Sequence, residues 1–293
     1  MSILFALIAT FGHAFDSFFA RRGLVETPAP MAAAFITLTI NFLFFAILSF
    51  LFLPRHLLRL DLVYVFIIAG LMAPGFARVC SYKGLETLGM SIASPITNSD
   101  CLFTVTLALI FLGEPLTLPL AVGIAGVVTG VILLSYETGK GKKGSITREF
   151  KRRYLFYPFG AALLYASSVF LRKVGLGMTG SPLLGATFTS GTSWFVVALV
   201  MMGSGQMKGV FHIRRGLVYF LIAGIVGCIT WLALFQALHL GRVSVVTPIA
   251  GSYCLVTLLL SMIFLRGVER ITGKIIASTL MIVGGVIIIS LAR

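Results

Sequence analysis

Four side chains could do chemistry inside an otherwise apolar sequence: His13, Asp16, Arg78 and Asp100. His13 and Asp16 are three residues apart, so a helix would carry both on one face, where they could bind a small molecule or take up and release a proton. An ionisable group within an apolar span is costly unless it faces a cavity or a partner, which makes Asp16, Arg78 and Asp100 candidate functional residues. For His13, the alternative is a packed or near-interface histidine. The alternative for Asp16 is a fixed pair with Arg78 that holds two helices together.

Arg78 points to the chemistry of a ligand. A guanidinium keeps its charge at physiological pH and can hold a carboxylate or phosphate through two hydrogen bonds. This predicts an anionic or zwitterionic ligand. The alternative is that Arg78 pairs with Asp16 or Asp100, which would leave its charge unavailable to a ligand. The sequence favours neither ligand binding nor pairing.

The setting of these residues is a membrane. Of the 293 residues, 58% are hydrophobic and 11% are charged, whereas an ordinary soluble domain is about 45–50% apolar. Lysine and arginine outnumber aspartate and glutamate by 23 to 9, a net charge of +14, but nearly all of these cations lie between apolar segments. They therefore indicate membrane topology and contact with lipid headgroups, and they argue against nucleic acid as a partner.

Apolar stretches of about 20 residues, long enough to cross a hydrocarbon core of about 30 Å, recur along the chain. We predict an all-α integral membrane protein with ten transmembrane helices, multi-pass in the plasma (cytoplasmic) membrane. The long polar stretch 137–153 predicts a linker between five spans and five. The predicted spans are 2–20, 30–53, 62–82, 90–112, 117–136, 154–172, 182–203, 217–238, 243–265 and 271–292.

The two halves of the chain repeat each other. Between 91–112 and 244–265, eleven of 22 positions are identical. Because each copy has an odd number of spans, the second copy enters the membrane in the opposite sense, which predicts the inverted repeats typical of transporters. The predicted division is a first five-helix repeat at 1–136, a basic polar linker at 137–153 and a second five-helix repeat at 154–293.

Matching prolines mark both copies of this repeat. Asn98 and Asp100 follow Pro95, and Pro248 is its counterpart in the ninth span. A proline removes a helix hydrogen bond and kinks the segment, and paired interruptions in two halves are a pointer to a central binding site. We therefore predict that Pro95 and Pro248 are places where helices yield during gating. The alternative is a packing kink.

The copies differ where the charges lie. Asp16, Arg78 and Asp100 align with uncharged residues in the second half, so charge is predicted to be confined to the first half. The second half offers aromatic and hydrogen-bonding side chains near the matching positions, as small-molecule pockets usually do, although ordinary core or lipid-facing positions are the alternative for its aromatics. These candidate substrate residues are Tyr165, Ser168, Trp231, Gln236 and Tyr253.

No other chemistry is indicated. The sequence GKGKKG at 139–144 lacks the order of a phosphate loop, no Ser, His and acid set has the spacing of a hydrolase, and no cluster predicts a metal or another cofactor. We predict no catalytic residues and no enzyme activity. The cysteines lie within apolar segments and are expected to be packed thiols; they are Cys80, Cys101, Cys228 and Cys254.

A short motif carries a family resemblance. Leu112, Glu114 and Thr117 follow the fourth span, and Glu269 and Thr272 form a looser copy, with an insertion before it, after the ninth. Together with ten spans in two halves, this L-x-E-x-x-T element resembles the drug/metabolite transporter superfamily, and the whole chain looks like a pair of EamA-type domains. The resemblance implies transport of a metabolite or drug and names no cargo.

Charge counting and the resemblance differ on orientation. With the termini on one face, that face carries six cations, Arg172 and Lys173 among them, and the other carries sixteen. Lysine and arginine favour the cytoplasmic side, so the count predicts that both termini lie outside. The resemblance implies cytoplasmic termini.

The function predicted from these features is secondary active transport of a small polar or zwitterionic, amino-acid-like metabolite by alternating access. Protons are the candidate coupling ion, through Asp16 and His13, and the partners are a small-molecule substrate and membrane lipids. The sequence indicates no oligomeric state. One alternative is a lipid or amphipathic drug exporter or flippase on the same fold, which the 25 phenylalanines permit. Another is a membrane sensor or enzyme that transports nothing.

Overall fold

The computed structural model describes residues 1–54, 59–88, 93, 96–140, 152–207, 210, 216–264 and 273–291. Every regular element within these ranges is helical. A π-helical turn, Leu71–Phe76, follows α3, and a short 3₁₀ turn, Arg152–Leu155, precedes α7. The helices are α1 Ser2–Glu26, α2 Pro30–Phe52, α3 Leu60–Gly70, α4 Ala77–Leu88, α5 Asp100–Phe111, α6 Leu118–Lys140, α7 Phe156–Thr179, α8 Pro182–Gly203, α9 Leu217–Leu240, α10 Val243–Gly251, α11 Tyr253–Phe264 and α12 Gly273–Leu291.

The helices are those of a multi-pass membrane protein. Among the described residues, eight helices are long and apolar enough to cross a bilayer, judged by length and composition. The predicted fourth and ninth spans are covered by shorter apolar helices, Asp100–Phe111 and Val243–Thr257. These two helices account for parts of the repeated sequences, 91–112 and 244–265; the first begins directly after Ser99, and the second includes Ser252.

The first compact unit comprises Met1–Phe76 and Leu171–Leu240. Within it, α1 packs along α9, α2 packs on α8 and α9, and α3 packs on α8. The backbones of α1 and α9 come close, because a Cβ added at Gly12 would collide with the hydroxyl of Thr230 and one at Gly23 would lie 2.5 Å from the Phe220 ring. Small residues at helix contacts allow this approach in a bilayer, where van der Waals packing drives helix association.

The second compact unit comprises Ala77–Phe170 and Gly241–Arg293. Its most extensive contact joins α6 to α12, and α10 packs on α5 and α6. The G-x-x-x-G of α6 lies in this contact: a Cβ at Gly126 would be 3.3 Å from the Met281 carbonyl oxygen, and one at Gly130 would be 2.7 Å from the Ile282 side chain. The glycine pair therefore serves helix packing, as such motifs commonly do.

The compact units differ from the sequence repeats. Each unit contains residues of both the 1–136 and the 154–293 repeat. The boundary between the units falls within α7: residues up to Phe170 belong to the second unit, and residues from Leu171 belong to the first. The repeats are a division of the sequence, whereas the units are a division of the packing. A contact between distant parts of the sequence is therefore needed to complete either unit.

Candidate functional site

The repeated segments are interrupted at matching serines. Ser99 precedes α5 and Ser252 separates α10 from α11, with φ and ψ of −77° and 0° at Ser99 and −68° and −3° at Ser252. Each serine hydroxyl donates to the carbonyl three residues earlier, to Ile96 O and Ile249 O, at 2.6 Å in both cases. Serine hydroxyls compete in this way with the helical hydrogen bonds of the backbone. The result is a pair of local turns at equivalent places in the two copies.

The prolines that predicted these breaks stand before them. Pro248 is buried within α10, four residues ahead of the turn at Ser252. Pro95 lies outside the described residues. In the second copy the chain thus leaves helical geometry one turn beyond its proline.

Asp100 lies directly after the first turn. Its Oδ1 accepts a hydrogen bond of 2.9 Å from the backbone N–H of Cys101, at the start of α5, where a carboxylate is favoured by the helix dipole. The equivalent residue after the second turn is Tyr253, which is close enough to Asp100 and to Tyr165 of α7 to interact electrostatically. Tyr253 also shares a side-chain hydrogen bond with Cys254. Tyr253 is therefore within electrostatic reach of two other predicted site residues of the second unit.

Asn98 joins this group through its amide. Its Nδ2 donates to Ser135 Oγ on α6 at 2.7 Å and lies 3.9 Å from the sulfur of Cys254. Asn98 is half-buried, and Ser135 is buried with 6% of its surface exposed. We call Asn98, Asp100, Tyr165, Tyr253 and Cys254 the polar cluster. It offers one carboxylate, one amide, two phenols and one thiol.

Two further predicted residues belong to the same unit. Arg78 is half-buried at the second position of α4, and Ser168 is fully buried on α7. Both make polar or electrostatic interactions. Their placement in this unit is compatible with a role beside the polar cluster, and that role stays a prediction.

A glutamate from the family-like motif holds the start of α10. Gly113, with φ of +63°, ends α5 in the left-handed conformation that glycine adopts most easily, and Glu114 follows it. One carboxylate oxygen accepts the Val243 N–H at 2.7 Å, and the other accepts the Ser244 N–H at 2.9 Å and the Ser244 hydroxyl. The first N–H groups of a helix have no partner within the helix. Glu114 therefore caps α10 from a distant segment.

Asp16 and His13 lie in the first unit. Both are half-buried on α1, and both make polar or electrostatic interactions. Asp16 interacts electrostatically with Cys228 on α9, the helix against which α1 packs, and the Cys228 thiol donates to Asn41 Oδ1 at 3.2 Å. Asn41 is 5% exposed. Asp16 thus lies within electrostatic reach of a buried polar pair, Cys228 and Asn41, that joins α9 to α2.

Arg172 is a residue that sequence reasoning missed. Only 4% of it is exposed, although it was counted among the cations of a membrane face. Its guanidinium donates to Ala73 O at 2.7 Å and lies over the Trp231 ring, 4.7 Å from the ring centroid. The prediction that charge is confined to the first half is therefore wrong. A signal for this site was Pro74, which falls inside the third span and predicts a helix break that needs an outside donor.

The remaining predicted residues lie on α9. Trp231 is buried with 9% exposed, and Gln236 is half-buried. Both belong to the first unit, whereas Tyr165, Ser168 and Tyr253 belong to the second. Within the described ranges, no three His, Cys, Asp or Glu side chains meet at a metal-binding spacing.

Comparisons with known proteins agree with this picture. The family described as "EamA-like transporter family" matches twice, over residues 1–136 and 152–291. A solved structure titled "Crystal structure of protein" is similar with a TM-score of 0.79 at 14% identity, over 99% of this chain and 96% of that one. At that identity the likeness shows the fold alone. No curated protein sequence matches this chain.

Proposed function

The chain belongs to the EamA-like transporter family and is a multi-pass membrane protein, and from this premise we propose that it is a secondary active carrier of a small zwitterionic metabolite of the amino-acid kind. The observation that carries the proposal is the polar cluster. It offers hydrogen-bonding groups and a carboxylate within apolar helices, and two of its members, Asp100 and Tyr253, directly follow matching helix interruptions.

The cluster suits an amino-acid-like cargo. The Asp100 carboxylate would receive the ammonium group of the cargo, since charge-assisted hydrogen bonds are the strong ones in a site of low polarity. The hydroxyls of Tyr165 and Tyr253 and the amide of Asn98 would hold its polar end, and Arg78 would attract its carboxylate. Ser168 would add a hydroxyl from the same helix as Tyr165. These roles follow from residue type and from membership of one unit.

Movement would follow the repeat. In our proposal the chain forms two inverted repeats of five helices, and the cargo gains access to each side of the membrane in turn. The serine turns support this, because Ser99 and Ser252 already interrupt the helices beside the polar cluster. Pro95 and Pro248 would assist bending there, since each removes one backbone hydrogen bond.

Coupling would use a different group. Asp16 is half-buried and within electrostatic reach of the thiol of Cys228, and His13 lies one turn away on α1. In our proposal, this pair takes up and releases the proton that drives the cargo across the plasma membrane. Separate groups for cargo and proton would explain why ionisable residues occur in both units.

The test is uptake by purified protein in liposomes. The probe is an equimolar mixture of the twenty ¹⁴C-labelled L-amino acids, presented with and without an inwardly directed proton gradient. We expect uptake above that of empty liposomes, and a loss of about tenfold or more in Asp100→Asn, which corresponds to one charge-assisted hydrogen bond. The matched control is Asp61→Asn, because Asp61 is 59% exposed at the start of α3 and pairs with Arg59.

Three results would contradict the proposal. One is uptake of none of the amino acids. Another is equal uptake by Asp100→Asn and wild type. The third is transfer of a fluorescent phosphatidylcholine between leaflets without amino-acid uptake, which would favour a lipid flippase.

A further inference from the structure

The third span is interrupted by a proline. α3 ends at Gly70, and within Leu71–Phe76 the backbone of Ala73 is extended, with φ of −148° and ψ of 138°. Pro74 has no N–H, so the carbonyl of Gly70, four residues earlier, loses its helical donor. Helix α4, which carries Arg78, begins at Ala77 directly after this break.

Two buried side chains supply donors to the break. Ser193 on α8 places its hydroxyl 2.9 Å from Gly70 O and 2.7 Å from Thr189 O, so that its one proton is shared between these two carbonyls. Arg172 on α7 donates Nη2 to Ala73 O at 2.7 Å. Ser193 has no exposed surface, and Arg172 is 4% exposed. In a bilayer such outside donors are what makes a broken helix tolerable.

The charge of Arg172 rests on aromatic faces. Its guanidinium carbon is 4.7 Å from the centroid of Trp231 and 5.6 Å from that of Phe235, both on α9. A cation over an aromatic face is stabilised by the ring quadrupole, and more so where water is excluded. A buried charge is costly without such contacts, so the ring of Trp231 stabilises the charge of Arg172 at this position.

The backbone around the break is tightly packed. A Cβ added at Gly70 would collide with the hydroxyl of Thr192, and one at Gly75 would lie 2.7 Å from Gly70 O. The packing around the break therefore leaves no room for a side chain at either glycine. We call Gly70–Phe76 with Ser193, Arg172 and Trp231 the helix joint.

The joint occurs in one copy of the repeat. When Phe66–Gly70 is aligned with Phe220–Gly224, Pro74 matches Cys228, which lies inside the continuous helix α9. The counterpart of Arg172 is Arg21, on α1. The third span of the first repeat is thus interrupted where the equivalent helix of the second repeat, α9, is continuous. The buried guanidinium of Arg172 donates a hydrogen bond to the interrupted segment.

We propose that Arg172 is a positioning residue for transport: it fixes the backbone at Ala73, from which the helix carrying Arg78 starts, while Trp231 supports its charge. This assigns Trp231 to the joint and leaves the cargo to other residues. The claim that Arg172 matters for transport rests on the proposed function. The claim that Arg172 fixes the backbone at Ala73 rests on the contacts of the joint alone.

The first test measures amide hydrogen exchange of full-length protein in detergent micelles. Arg172→Met keeps the apolar length of the side chain and removes the donor and the charge. We expect exchange over 66–78 to rise about tenfold or more, as expected for loss of a hydrogen bond from a charged group, and Arg172→Lys to restore part of the protection. The control is Lys173→Met, because Lys173 Nζ donates instead to Leu238 O at 2.7 Å, and its loss should affect the end of α9.

The second test measures transport with the same variants in liposomes and the same mixture of ¹⁴C-labelled L-amino acids. We expect Arg172→Met to lower initial uptake about tenfold, Arg172→Lys to recover part of it, and Lys173→Met to stay within about twofold of wild type. If Arg172→Met does not fold, Ser193→Ala replaces it, with a smaller rise in exchange over the same segment and a smaller loss of uptake.

The outcomes separate the two parts of the argument. Unchanged exchange over 66–78 in Arg172→Met, or in both Arg172→Lys and Ser193→Ala, overturns the joint. Raised exchange with wild-type uptake overturns the positioning role. If wild-type protein takes up no amino acid, the proposed cargo fails, and the exchange measurement still decides the joint.

Discussion

Replacing Glu114 by Gln tests the cap on α10. The carboxylate accepts three hydrogen bonds, from two backbone N–H groups and one hydroxyl, and a hydrogen bond to a charged group contributes about 1.5–3 kcal/mol. Gln keeps one acceptor oxygen, but it sets an NH₂ group against a backbone N–H and removes the favourable charge at the helix start. Because Glu114 is half-buried, water can replace part of the loss. We expect Glu114→Gln to lower the free energy of unfolding by about 2–3 kcal/mol.

The hydroxyl of Ser244 supplies a partner for a double-mutant cycle. Ser244→Ala removes one hydrogen bond and leaves the backbone donors in place, so we expect a loss of about 1 kcal/mol. Once Glu114 is replaced, the Ser244 hydroxyl has no carboxylate partner, so its removal costs little more. The double variant should therefore lose about 1 kcal/mol less stability than the sum of the losses in the two single variants. Such coupling is the expected sign of residues in direct contact.

The assay is reversible unfolding of the purified protein in mixed micelles by added sodium dodecyl sulfate, followed by circular dichroism. Asp61→Asn is the control, because that carboxylate is 59% exposed and exposed pairs contribute at most about 1 kcal/mol. The reasoning is refuted if Glu114→Gln is no more destabilising than Asp61→Asn, or if the losses at Glu114 and Ser244 are additive within about 0.5 kcal/mol.

Three further predictions concern packing, coupling and cargo. Gly285→Ala should destabilise the protein by about 1–3 kcal/mol in the same assay, because its Cβ would lie 2.7 Å from Gly123 O, whereas Gly284→Ala, which meets nothing within 4 Å, should be nearly neutral; equal effects would contradict the close contact of α6 and α12. Asp16→Asn should abolish the stimulation of liposome uptake by a proton gradient while leaving gradient-independent exchange of labelled amino acids; retained stimulation would remove Asp16 from coupling. Tyr253→Phe should reduce amino-acid uptake several-fold without a comparable loss of stability, and unchanged uptake would remove its hydroxyl from the cargo site.

Much of the fold could be predicted because its signals are local. Apolar stretches of membrane-spanning length predicted the helices. The similarity of 91–112 to 244–265 predicted equivalent interruptions in the two segments, and the structure has turns at the matching Ser99 and Ser252. Charges in apolar spans are rare, which made Asp16, Arg78 and Asp100 candidates for the site, and their functional roles stay a prediction. The offset between Pro248 and the turn at Ser252 was not predictable, since a serine hydroxyl that bonds its own backbone gives no periodic signal.

Contacts between distant segments account for what the sequence did not reveal. Arg172 lies near the end of an apolar span, where a cation ordinarily reaches the lipid headgroups. In the structure its hydrogen-bond acceptor is Ala73 O, about 100 residues away, and the ring beneath its charge is Trp231, about 60 residues away. Glu114 was recognised as part of a motif, but its role as a cap depends on Ser244 in the other repeat. Neither partner can be chosen from spacing, because many carbonyls, rings and helix starts are equally eligible.

The way the compact units divide the chain has a consequence for synthesis. The first unit needs residues up to Leu240 and the second needs the segment beyond Gly241, so neither can be complete when the ribosome has made only the first repeat. The early helices lack their partners until later residues have been made, and α1 can meet α9 only after some 200 further residues. A fragment cut at 137–153 would therefore leave both units unfinished.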